Sequence, residues 1–131
     1  VTTSKDISNT GGSNRAFVVA GGDPTVSNPS VLQWFNTAAF SSVVPGGGYS
    51  FGNAGRGILT APGLQTFDAG LYKNFHPVEL LTVQFRAEAF NALNSSNFST
   101  PANNQNSSTF GQISSTSVAN RDIQFGLKLI F

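Results

Sequence analysis

The final run of the chain constrains its fold most. Ile123, Phe125, Leu127, Leu129 and Phe131 occupy every odd position to the last residue, with Asp122, Gln124, Gly126 and Lys128 between them. Side chains on a β-strand alternate between two faces, so this pattern predicts a strand with one apolar and one polar side. Two earlier runs share the period. From Leu64 to Phe75, the residues Phe67, Ala69, Leu71 and Phe75 fall on one face, and Thr66, Asp68, Gly70, Tyr72 and Asn74 on the other, with Lys73 as the one irregularity. From Leu81 to Leu93, the residues Leu81, Val83, Phe85, Ala87 and Ala89 oppose Thr82, Gln84, Arg86 and Glu88. Arg86 to Leu93 is also rich in good helix formers, but the alternation decides for strand.

The chain therefore divides at about Gly63. Residues 64–131 are expected to form three amphipathic β-strands, about 64–75, 80–93 and 121–131. Residues 1–63 are rich in Gly, Ser, Asn and Pro, with short apolar islands between turn signals such as Gly21-Gly22, Asp23-Pro24 and Pro45 to Gly48. They are expected to be loop with one or two short strands. Asn74 to Glu79, holding His76-Pro77, predicts a short turn, and Asn94 to Asn120 a long polar connection.

Composition narrows the function classes. No Cys, no Met, one His and 10% charged residues leave few groups for catalysis, so no enzyme, no cofactor and no metal site is expected. The net charge is +1 and the basic residues are scattered, which predicts no nucleic-acid partner. A chain without Met does not begin at a translation start, so a processed product or a part of something longer is expected. No run approaches the roughly 18 apolar residues of a membrane-spanning helix. The amphipathic runs, however, are about 11 to 13 residues long. Usual strands have roughly 5 to 6 residues and tilted membrane-spanning ones about 9 to 11. A barrel wall turns its apolar face to lipid and its polar face to the lumen, with short periplasmic turns and long extracellular loops. Leu127→Asp is then expected to abolish assembly and Gln124→Asp to be tolerated.

Several motifs carry a further resemblance. Trp34 to Phe40 (W-F-N-T-A-A-F), Phe51 to Arg56 (F-G-N-A-G-R), Pro62-Gly63, Phe67-Asp68, Lys73 to Phe75, Val83 to Leu93, Phe98 and Phe110-Gly111 occur in that order. Over about the last hundred residues the chain resembles the C-terminal end of TonB-dependent outer-membrane receptors, in the branch with a carboxypeptidase-regulatory-like N-terminal domain common in Acidobacteria. The resemblance implies a bacterial outer-membrane location, partnership with the rest of a barrel, and a terminal strand (Ile123 to Phe131) read by the barrel-assembly machinery. It also implies a lumen-type polar face at Gln84, Arg86, Glu88, Gln124 and Lys128. Full members import nutrients through a plugged barrel of roughly 22 strands. This chain lacks the plug and the TonB box and supplies about three strands, so it is not a transporter by itself.

Two other readings stand beside this one. Released by proteolysis, long amphipathic strands with free edges would self-assemble with identical copies into an extracellular β-rich filament. If residues 1–63 supplied several strands, a small soluble β-sandwich binding module would result. Individual motifs read more plainly. Gly52 to Gly57 (G-N-A-G-R-G) lacks phosphate-loop spacing and predicts a turn. His76 has no second ligand beside it. Arg86 and Glu88 read as a solvated ion-pairing face rather than an acid and base. Asn94-Ser-Ser, Asn97-Phe-Ser and Asn106-Ser-Ser match the glycosylation pattern by composition. Trp34, Phe35, Phe40, Tyr49 and Phe51 are expected to bury against one another rather than bind carbohydrate.

Overall fold

A computed structural model describes all residues, Val1–Phe131. The fold is all-β with antiparallel strand pairing, and it divides into two compact units. One comprises Val1–Pro62 with Ser99–Ser115, and the other Gly63–Phe98 with Thr116–Phe131.

The first unit is mostly loop. Its strands are two residues each: β1 (Thr2–Thr3) pairs with β2 (Asn14–Arg15), and β3 (Phe17–Val18) with β4 (Phe40–Ser41). A single 3-10 turn, Thr37–Ala39, precedes β4, capped by the Asn36 side chain, which accepts from the Ala38 N–H. So few ladder bonds would not hold a fold together. The organising element is instead a small core of Ala16, Phe35, Ala39, Phe40 and Ala54. Phe35, Phe40 and Phe110 meet edge to face, with centroids 5.1 to 6.1 Å apart. That arrangement sets the positive edge of one ring against the negative face of another. Residues 99–115 join this unit through backbone bonds, among them Thr2 N–H to Asn103 O and Trp34 N–H to Gly111 O. Tyr49 and Phe51 do not join the core: they are 72% and 69% exposed, although the backbone between them is tied to the unit by the Ser50 N–H bond to Ile7 O. The expected mutual burial of the loop aromatics therefore holds for Phe35 and Phe40 and fails for these two.

The second unit is an open three-stranded sheet in the order β5 (Ala69–Val78), β6 (Leu81–Phe90), β7 (Asp122–Ile130). The strands are 10, 10 and 9 residues long, somewhat shorter than the sequence runs. Residues 64–68 fall outside β5 because side chains take over their pairing. Gln65 exchanges both backbone groups with the amide of Asn97, and Asp68 accepts from the Asn91 N–H at 2.8 Å. Asn91 ends β6 by adopting a positive φ of 47°, a region that Asn tolerates better than most residues. The expected turn at His76-Pro77 is also corrected. Both residues lie within β5, and the turn is Glu79-Leu80, closed by the Val78 and Leu81 pair. Proline offers no N–H to the ladder, and the register shifts between Phe75 and Val78 to accommodate it.

Candidate functional site

The pairing register defines two faces on the second unit. Ala69, Leu71, Lys73 and Phe75 of β5 stand opposite Ala89, Ala87, Phe85 and Val83 of β6. Those β6 residues stand opposite Ile123, Phe125, Leu127 and Leu129 of β7. Cross-strand partners share a face, so these residues form one continuous apolar surface broken only by Lys73. Phe85 and Phe125 stack across it, with centroids 6.1 Å apart. Leu81 pairs with Val78 at the turn, and Phe131 lies beyond β7 and is 92% exposed. Nothing within the unit covers this surface: Leu71, Phe125 and Leu127 are 65 to 72% exposed.

The other face collects Gly70, Tyr72 and Asn74, then Glu88, Arg86 and Gln84, then Gln124, Gly126 and Lys128. Its side chains are tied across all three strands. Glu88 accepts from the Tyr72 hydroxyl at 2.6 Å and from the Gln124 amide at 2.5 Å, bridging both outer strands from the central one. Gln84 donates to Asn74 at 3.0 Å and accepts from Arg86 Nε at 2.7 Å, and the Arg86 guanidinium lies 5.5 Å from the centroid of the Tyr72 ring. Arg86 and Glu88 thus bond to different neighbours rather than to each other. Tyr72 and Asn74 belong to the network although only their alternation, not their chemistry, marked them in the sequence.

The long connection after β6 is held by two buried asparagines. Asn91 and Asn97 are 3% and 2% exposed, and both spend their side-chain amides on backbone groups. Asn91 bridges Ser95 and Ala119, and Asn97 bridges Gln65 and Ser95. Of the two, Asn97 alone stands in a glycosylation pattern, and its amide is bonded to Gln65 and Ser95. The Asn106 oxygen accepts from Thr3 and Ser4. No group of three or more His, Asp or Glu side chains is placed to hold a metal ion. No helix is long and apolar enough to cross a membrane, which does not bear on a β-barrel.

An antiparallel sheet with one bare apolar face and one networked polar face has the two-sided alternation of outer-membrane strands, and its two edges are left open. The sequence profile of the outer membrane beta barrel domain family matches residues 1–124. The chain belongs to that family, and its location is the outer membrane. No curated protein and no solved structure matches it.

Proposed function

We propose that this chain is the C-terminal wall segment of a TonB-dependent receptor barrel, a structural rather than catalytic element that transports nothing alone. The observation that carries the proposal is the register of β5, β6 and β7, which gathers the apolar residues on one uncovered face. A three-stranded sheet with neither face packed is not expected to be stable in water. Lipid against the apolar face and neighbouring strands at both edges would satisfy it. The strand lengths of 10, 10 and 9 residues suit a tilted crossing of about 9 to 11. The ordered motifs from Trp34 to Gly111 support the receptor branch. On this reading Gln84, Arg86, Glu88, Gln124 and Lys128 line the lumen, Lys73 reaches along the wall towards the interface, and residues 91–121 run outside the cell. The alternation from Ile123 to Phe131 is then what the assembly machinery reads.

One observation favours a second reading, the self-assembled filament. The outer edge of β7 has neither Pro nor bulge, which leaves nine regular residues open to a strand of another copy. Semi-native electrophoresis of outer membranes, probed with an antibody to this chain, separates the readings. A heat-modifiable band far above 13.7 kDa is expected for the receptor wall. Sedimentable fibres would replace it with the filament, and a soluble monomer would sink both.

A further inference from the structure

Two arginines far apart in sequence, Arg15 and Arg56, line one cavity of about 370 Å³ in the first unit. Their meeting depends on a close approach of two backbones. A Cβ at Gly52 would lie 1.8 Å from the Arg15 carbonyl oxygen, so only glycine fits there. The segment after it then zips onto β2 and β3. Asn53 accepts from the Val18 N–H at 2.7 Å, the Ala54 N–H donates to Ala16 O at 3.0 Å, and Arg15 Nη1 donates to Ala54 O at 3.3 Å. Arg56 follows immediately, and Gly57 beside it takes a φ of +67° that turns the chain along the cavity. The glycine-rich segment here presents a cation rather than forming a phosphate-binding helix start.

The remaining wall sets Phe35, Ile58, Leu59 and Pro101 beside the neutral polar residues Thr2, Thr60, Thr100 and Asn103, and it contains no acidic residue. The unit's carboxylates, Asp6 and Asp23, are occupied elsewhere, by the Thr10 and Gly11 amides and by Thr25 respectively. Two arginines therefore line a mixed, mostly apolar cavity with no carboxylate among its residues. A guanidinium has five N–H donors arranged to fit carboxylate or phosphate oxygens, and the cavity volume lies in the range of small-molecule sites.

We propose that this cavity binds a small organic oxyanion, its charged group on Arg15 and Arg56 and its apolar body against Phe35 and Leu59. The proposal rests on the first unit alone and is independent of the membrane reading of the sheet. The test is an NMR titration of the full chain in detergent micelles with benzoate, phenyl phosphate and the uncharged isostere benzamide. At least one of the two anions should shift the Gly55, Arg56 and Gly57 amides saturably, about tenfold more tightly than benzamide, the margin of a charge-assisted pair. Whichever anion binds more tightly identifies the oxyanion. Arg56→Gln should remove that margin while the Trp34 indole N–H, bonded to Thr60 O at 2.8 Å, keeps its resonance and reports an intact unit. Failure of both anions to bind, equal binding of benzamide, or an Arg56→Gln variant that binds as tightly as the parent would overturn the proposal.

Discussion

The two units solve opposite problems with similar residues. The loop unit has strands of only two residues, yet it buries an aromatic core in which Phe35 is 1% exposed. The sheet unit has long, regular ladders, yet Phe125 on its apolar face is 72% exposed. The difference teaches where each draws its stability. The loop unit is held by its own packing, whereas the sheet pairs only its central strand on both sides and leaves two edges and its apolar surface to outside partners.

That contrast is broken most severely at the loop core. Phe35→Ala should cost about 3–5 kcal/mol, the usual range for emptying an aromatic core site. Hydrogen exchange should show the loss across residues 1–62 and 99–115. Phe125→Arg comes next, at about 2–4 kcal/mol if its face meets lipid near the midplane. Refolding yield into lipid vesicles reads this penalty directly. Gly52→Ala should destabilise the loop unit by about 3 kcal/mol, the upper end for overpacking against an unyielding neighbour, with thermal melting of the Trp34 environment as the readout.

Smaller effects sharpen the comparison. The tolerance that alternation alone predicts for Gln124→Asp is revised by the polar network: Gln124 donates to Glu88, so this change places a second carboxylate against the first and should weaken the sheet. Lys128 makes no such bond to Glu88, and Lys128→Gln is the better tolerated polar-face change. Amide exchange at Tyr72 and Glu88 distinguishes the two variants. The smallest effect is set by pH. The Gly11 and Thr10 amides hold the Asp6 carboxyl below its ordinary value of 3.8. Its contribution is therefore fully present above that value and is lost as pH falls through the lower folded one. Exchange at Thr10 and Gly11 should accelerate only in that acid window.

The all-β antiparallel class was legible in the sequence because period-two alternation is local. Each of the runs around Leu71, Phe85 and Leu127 announces its strand without reference to any partner. Strand ends were harder to read. β5 continues through Pro77 by a register shift that only pairing with β6 reveals, and β6 stops at Asn91 through bonds to Asp68, Ser95 and Ala119. The loop unit was least legible, since its core joins Ala16, Phe35, Ala54 and Phe110 from four distant segments with no shared period. For the same reason the two arginines of the cavity gave no signal. They share one cavity lining across the close approach of Gly52 to the Arg15 backbone.

The most direct test of the central claim is site-by-site labelling along β7. The chain contains no Cys, so single Cys substitutions at 123 to 129 give unambiguous reporters once the chain is purified and reconstituted into lipid vesicles. Fluorophores at 123, 125, 127 and 129 should be quenched by brominated lipid, and thiols at 124, 126 and 128 should react with a water-soluble reagent. Uniform accessibility along β7, or the opposite alternation, would contradict a wall with lipid on one face and water on the other.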